Sequence, residues 1–220
     1  MMCCLCGGMV TEETSFIHLL CLSPADTQVC LTCLESFESI SDQHCPTCFK
    51  EGVEKSCQDC QFWSEQGVVV QHQALFHYNS AMKEFFSTYK FEGDYELRKV
   101  FGNCLKKYLK RYRGYTLVPV PLSPERFQKR GFNQVTGLLE ASGKSYQELL
   151  EKREVAASSS KNRQERLETD FAFSIKAGVA LPAKILLVDD IYTTGTTLNR
   201  LKKLLLDAGC QEVCTFSLAR

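Results

Sequence analysis

Residues 185–197 read Ile185-Leu-Leu-Val-Asp-Asp-Ile-Tyr-Thr-Thr-Gly-Thr-Thr197, and this stretch decides the fold. The aliphatic run Ile185–Val188 has the composition of a short interior strand. Two adjacent carboxylates, Asp189 and Asp190, stand at its carboxyl end, and a hydroxyl- and glycine-rich turn then opens a helix near Thr197. In an open parallel α/β sheet, ligands bind beyond the carboxyl ends of the strands, where loops lead into helices. A helix start presents unpaired N–H groups and about half a positive charge, which suits a phosphate. Gly195 lets backbone approach an anion closely, and Thr193, Thr194, Thr196 and Thr197 supply further donors. The acid pair suits vicinal sugar hydroxyls, directly or through an oxygen-seeking divalent metal such as Mg²⁺. A loop that holds both groups implies a ribose-5-phosphate ligand.

The flanking residues extend the pattern. Strand 184–189, helix 196–208 and strand 212–218 form one α/β unit, with Gly209 ending the helix. Upstream, Tyr115–Val120 reads as a strand that runs into Pro121. It is followed by a basic loop with Arg126, Lys129 and Arg130, then Gly131-Phe-Asn-Gln134 before another helix. That loop is the counterpart of the Asp189 turn and could hold a second anion, such as a pyrophosphate. The run 68–76 reads as strand or hairpin. Residues 80–91 place Met82, Phe85, Phe86 and Tyr89 on one helical stripe, and Asp94 can cap a helix over about 95–113. That helix mixes Lys106, Lys107, Lys110 and Arg111 with Tyr108 and Tyr112. Cations among rings can bind single-stranded nucleic acid, but an amphipathic helix with core-facing rings and solvated lysines accounts better for the pattern. Residues 157–170 read either as a mobile polar loop or lid whose Lys161, Arg163 and Arg166 could reach phosphates, or as a solvated linker.

Formal net charge is zero, yet the charge is divided. Residues 1–93 carry 4 Lys/Arg against 12 Asp/Glu, and residues 94–220 carry 22 against 14, a swing from −8 to +8. A basic C-terminal part suits a phosphate-rich ligand. No apolar run approaches the roughly 18 residues of a spanning helix, and no secretion signal opens the chain, so a cytoplasmic location is expected.

Ten of the thirteen cysteines precede residue 61. Four pairs share Cys-x-x-Cys spacing: Cys3–Cys6, Cys30–Cys33, Cys45–Cys48 and Cys57–Cys60. Two residues between thiols let both sulfurs face one ion, and two such knuckles complete a tetrahedral zinc site. Eight thiolates therefore imply two structural zinc ions. Sequential pairing is expected, although spacing leaves an interleaved scheme open. Cys4 and Cys21 fall outside the pattern and read as small buried hydrophobes. His18 and His44 are spare ligands made unnecessary by the sulfur supply. Residues 1–62 hold few aliphatics, so metal ligation should fold them, and chelation should unfold residues 1–60 while sparing the rest.

The 185–197 stretch resembles the phosphoribosyl-pyrophosphate (PRPP) loop of type I phosphoribosyltransferases. Other segments add to it in order: cysteine knuckles, Lys90-Phe91-Glu-Gly-Asp94, Pro119-Val-Pro-Leu-Ser123, Arg130-Gly-Phe-Asn-Gln134 and Glu165-Arg166. Together they resemble the ComF family of competence proteins over nearly the whole chain. The resemblance implies a double zinc ribbon at 1–62 and a phosphoribosyltransferase-type parallel α/β domain at 63–220. It also implies a part in DNA uptake during transformation, with single-stranded DNA entering the cytoplasm beside a ComFA-like helicase at the inner face of the membrane.

Two functions are expected from these residues. A transferase would grip ribose with Asp189 and Asp190, the 5-phosphate with 193–197, and pyrophosphate with Arg126, Arg130 and Mg²⁺; Asp189, Asp190 and Arg130 would be catalytic. A binding protein would use the same loop to sense PRPP or a nucleotide, and its basic face to hold single-stranded DNA.

Overall fold

The computed structural model describes residues 2–10, 29–152 and 173–220. The polar segment 157–170, with Lys161, Arg163 and Arg166, lies outside them, as do His18 and Cys21. Four parallel strands form the sheet: β1 (His72–Phe76), β2 (Thr116–Pro119), β5 (Lys184–Ile191) and β6 (Glu212–Ala219), in the order β1-β6-β5-β2. A separate antiparallel pair joins β3 (Leu150–Lys152) to β4 (Phe173–Ile175).

Strand alternation explains why β5 is apolar throughout. Leu186 and Val188 pack with Leu117, Phe216 and Leu218 on one face, whereas Ile185 and Leu187 pack with Val118 and Val213 on the other. Successive side chains point to opposite faces, so a sheet covered on both sides needs an aliphatic at every position. The first face is covered by α3 (Ser80–Ser87), α4 (Gly102–Tyr108) and α6 (Gln134–Ala141), and the second by α7 (Thr196–Asp207). Both strands and the helix read from residues 184–218 are present within a residue or two.

Three segments differ from the sequence reading. Helix 80–91 stops at Ser87 and continues as a π-helical turn, Thr88–Glu92, closed by Gly93 in the left-handed region. The single helix expected over 95–113 is broken into a 3₁₀ turn at Tyr95–Lys99, α4, and a second 3₁₀ turn at Leu109–Tyr112. The basic loop after β2 is in part a helix, α5 (Pro124–Arg130). Ser123 caps α5 by accepting from the Arg126 N–H, proline fills the first turn, and Gly131 ends it with φ 82°. No α5 residue is buried, so no periodicity marked it.

The two short N-terminal helices, α1 (Leu31–Glu35) and α2 (Gln58–Glu65), belong to the cysteine-rich part. That part shares its apolar contacts with the sheet. Cys3, Val29, Leu34 and Phe37 pack in the first-face cluster, and Cys45, Cys48, Cys57, Cys60 and Trp63 pack in the second. Among the described residues, no helix is long and apolar enough to cross a membrane.

Candidate functional site

Beyond β2 the chain passes through α5 to α6 on the first face, and beyond β5 it enters α7 on the second, so the connections diverge and leave a crevice beyond the strand ends. A cavity of about 510 Å³ occupies it. Asp189, Asp190, Thr197, Arg126 and Arg130 all line this cavity. Thr193, Thr194, Gly195 and Thr196 form the turn at its edge without lining it. Lys90, Lys129 and Lys152 join the two arginines, giving five cations against the carboxylates of Glu125, Asp189 and Asp190.

The acid pair is held by its own backbone. Asp189 Oδ1 accepts from the Asp190 N–H at 2.9 Å, and Asp190 Oδ1 accepts from the Ile191 N–H at 2.7 Å. Burial, and then repulsion from Asp190, push the Asp189 carboxyl well above the ordinary range. Asp190 is 6% exposed and forms an ion pair with Lys90, whose ammonium also lies 4.3 Å from the centre of the Phe86 ring. Lys90 sits on the π-helical turn, an irregularity often found at functional positions. Its carbonyl accepts from Arg130 Nε at 3.1 Å, and Arg130 also donates to the Gln134 side chain. Phe91, 75% exposed, stands on the rim with the Arg130 guanidinium 5.8 Å from its ring centre. Phe173 and Lys152, from the β3–β4 pair, close another side.

Gly195 begins α7 with φ 77°, and no side chain caps that end, so its first N–H groups face outward unpartnered by the helix. A Cβ at 195 would stand 2.1 Å from the Tyr192 hydroxyl and 2.6 Å from Asn199 Nδ2, so glycine is required for space as well as for conformation. Tyr192 is fixed by Asn199 and by stacking on His72 at 3.9 Å. His72 bridges the Thr215 and Ser217 hydroxyls, and burial, then the Arg220 charge, hold it neutral.

The eight knuckle thiols gather into two groups, Cys3/Cys6/Cys30/Cys33 and Cys45/Cys48/Cys57/Cys60, each with sulfurs within 4.8 Å of one another. This is the sequential pairing. Sulfur separations of 3.5–3.9 Å match the roughly 3.8 Å edge of a tetrahedron with Zn–S bonds near 2.3 Å. The groups repeat one design. In each first knuckle an N–H closes on the carbonyl four residues back (Gly7 on Cys3, Phe49 on Cys45), and both residues have positive φ. In each second knuckle the leading cysteine caps a helix that carries the other, Cys30 before α1 and Cys57 before α2. Cys4 is exposed, not buried as expected from sequence, because the knuckle turns it away from the sulfurs.

Lys106, Lys107, Lys110 and Arg111 are all exposed, on and just after α4. The neighbouring rings face inward: Tyr108 packs on Phe216, and the Tyr108 and Tyr112 hydroxyls both donate to Gln73. The sequence reading named neither Lys90 as a site residue nor the contributions of Phe91, Gln134, Lys152 and Phe173. The Lys90-Phe91-Glu-Gly-Asp94 motif contained a signal, since glycine after an aromatic-rich helix marks a break beside the site.

A parallel α/β sheet with an acid pair and an uncapped helix at its crevice, backed by two four-cysteine clusters, defines the class of this protein. No family model matches the chain. It is 55% identical to competence protein ComFC of Streptococcus pneumoniae, over the full length of both chains. It is 33% identical to competence protein ComFC of Bacillus subtilis over all of this chain and 95% of that one. Competence protein F of Haemophilus influenzae is 25% identical over 81% of this chain and 79% of its own. The chain belongs to the ComF family, alongside the ComFC proteins.

Proposed function

We propose that the crevice binds PRPP or a related ribose-5-phosphate ligand, and that the protein serves competence by handling incoming single-stranded DNA in the cytoplasm. The observation that carries this reading is the convergence on one cavity of two adjacent carboxylates, the α7 helix start and five cations. Asp189 and Asp190 would receive the ribose hydroxyls, the 193–197 turn the 5-phosphate, and Arg126 and Arg130 a pyrophosphate. Residues 1–62 would form the zinc-bearing part and 63–220 the ligand-binding part, with a ComFA-like helicase as partner.

Four-sulfur geometry fits zinc at both clusters, where the ion would be structural. Mg²⁺ fits less simply. Lys90 already neutralises Asp190, which leaves half-buried Asp189 and exposed Glu125 as the remaining carboxylates of the cavity, so Mg²⁺ would enter largely through substrate phosphates. When bound, it would neutralise charge on the pyrophosphate.

An active phosphoribosyltransferase is the second reading, favoured by Arg126 and Arg130 lining the same cavity as the acid pair. Departure of pyrophosphate passes through an oxocarbenium-like state, and fixed guanidinium groups stabilise the leaving charge. The acceptor would then enter past the exposed ring of Phe91. Calorimetric titration with PRPP, with and without Mg²⁺, tests the shared step. Binding that disappears in Asp189→Asn/Asp190→Asn supports it, and no heat in either condition refutes it. Pyrophosphate release on adding a base or nucleotide selects the transferase.

A further inference from the structure

The anion turn presents three successive carbonyls away from the cavity, and groups tied to the second cysteine cluster hold all three. Arg220 Nη1 donates to the Tyr192 carbonyl at 3.2 Å and also to the Thr193 carbonyl. Trp63 Nε1 donates to the Thr194 carbonyl at 3.0 Å. The other end of each contact is a cluster element. Arg220 Nη2 donates to Cys48 Sγ at 3.1 Å and lies 3.8 Å from Asp59. Trp63 sits three residues after Cys60 on α2, on the same helical face. The Arg220 side chain is 6% exposed, its guanidinium stacks over Tyr192 at 4.6 Å, and its backbone pairs with Phe76 and Tyr78. It is thus a rigid strut rather than a solvated surface cation.

We propose that Arg220 and Trp63 are positioning residues that couple the Cys45/Cys48/Cys57/Cys60 cluster to the phosphate-binding turn, so that metal retention and phosphate binding reinforce each other. Donors that hold the outer carbonyls orient the three peptide planes between Tyr192 and Gly195, and each plane aims an N–H the opposite way. A metal-bound Cys48 thiolate is a stronger acceptor for Arg220 than a loose thiol, as second-sphere donors to metal ligands commonly exploit. Loss of the ion frees Cys48 and the first turn of α2 together, and both struts lose their footing. Reciprocity follows from linkage: a ligand that orders the turn must also slow loss of the ion behind it. The first cluster has no such contact with the turn among the described residues. The inference rests on the reading of 193–197 as the phosphate seat, but one arm of its test needs no ligand.

The test uses the full zinc-loaded chain and a chromogenic chelator that reports zinc release. In the first arm, without ligand, the parent releases its two ions in separable phases, and Arg220→Met accelerates one phase by about 10- to 100-fold, the usual scale for second-sphere loss. Arg220→Lys, which keeps the charge but not the fork, recovers only part of that difference. Unchanged release in Arg220→Met overturns the proposal whatever binds in the cavity. Should that variant not fold, Trp63→Phe removes the other strut and is read the same way. In the second arm, saturating PRPP slows that same phase by about fivefold or more in the parent, within the usual range of coupling between sites, and not in Arg220→Met. Indifference of the parent to PRPP, when calorimetry shows that PRPP binds, also overturns it. A first arm that succeeds with no PRPP binding upholds the strut and refutes the ligand assignment instead. Trp63 is the sole tryptophan, so its emission offers an optical readout of both events.

Discussion

Lys90 and Asp190 form an ion pair whose side chains are 13% and 9% exposed, one from a π-helical turn and the other from the end of the central strand β5. A pair so far from water is held by mutual need. Removing one partner strands a buried charge, commonly at about 3–5 kcal/mol, whereas replacing both with apolar groups is often close to neutral. Lys90→Met should therefore lower the unfolding free energy by about 3 kcal/mol, and Lys90→Met/Asp190→Leu should recover most of it. Urea denaturation of the four species closes the cycle. Additive losses would show that the contact contributes nothing.

Asp189 titrates in the opposite sense to a salt-bridged carboxylate. Its native pKa is raised by burial and by Asp190, above the value near 3.9 of an unfolded aspartate. The native state therefore holds the proton more tightly. The contribution to stability is complete below the unfolded value and is lost as pH climbs through the raised native one. Asp189→Asn keeps the shape without the titration. Its melting temperature should match the parent near pH 4 and exceed it increasingly toward neutrality. Parallel curves across that range would contradict a desolvated carboxylate repelled by Asp190.

Much of this site was legible because its signals are local. The run Ile185–Val188 is aliphatic at every position since both sheet faces are covered, and the acids and glycine follow it without interruption. The knuckles were legible through spacing, and their pairing followed chain order. Helix α5 was not, because it buries nothing and so writes no period into the sequence. The three-residue strands β3 and β4 are too short to show alternation. Lys90 reads as one more lysine until the π-helical turn points it at Asp190, a partner too distant in sequence for any local pattern to indicate. Trp63 and Arg220 meet partners 131 and 172 residues distant, beyond the reach of any local pattern.

Gly195 and Gly131 separate conformational strain from collision. Both have φ near 80°, but a Cβ at Gly131 meets nothing within 4 Å, while one at Gly195 strikes Tyr192 and Asn199. A left-handed alanine costs about 1–2 kcal/mol. Gly131→Ala should lose about that much. Gly195→Ala should lose more, lowering the melting temperature by roughly 4–8 °C or beyond for a chain of this size, and it should also abolish PRPP binding. Equal effects in calorimetry and thermal melts would mean that the Tyr192 hydroxyl gives way freely.

Metal removal reaches further than cysteine spacing suggests. Cys45, Cys48, Cys57 and Cys60 share an apolar cluster with Val118, Leu187 and Leu198, so stripping the second ion exposes one wall of the sheet's own core. Chelation should therefore speed amide exchange in β5 and α7 as well as in the cysteine-rich part. Protection there that survives full removal of both ions would restore the simpler picture, in which only residues 1–60 unfold.

The basic residues after α4 offer charge without stacking. Lys106, Lys107, Lys110 and Arg111 are exposed, while the Tyr108 and Tyr112 hydroxyls are tied to Gln73 and the Tyr108 ring rests against Phe216. Each phosphate contact on a single strand adds about 0.7 to the slope of log affinity against log salt. Replacing all four cations with alanine should reduce that slope by up to about 3 and weaken every sequence alike. Tyr112→Leu, which removes the ring, should leave affinity unchanged, because the ring faces inward. A ring that stacked bases would instead contribute about 1–3 kcal/mol on truncation. Loss of binding in a folded Tyr112→Leu variant, with the slope intact in the lysine variant, would overturn the assignment of the strand to these four cations.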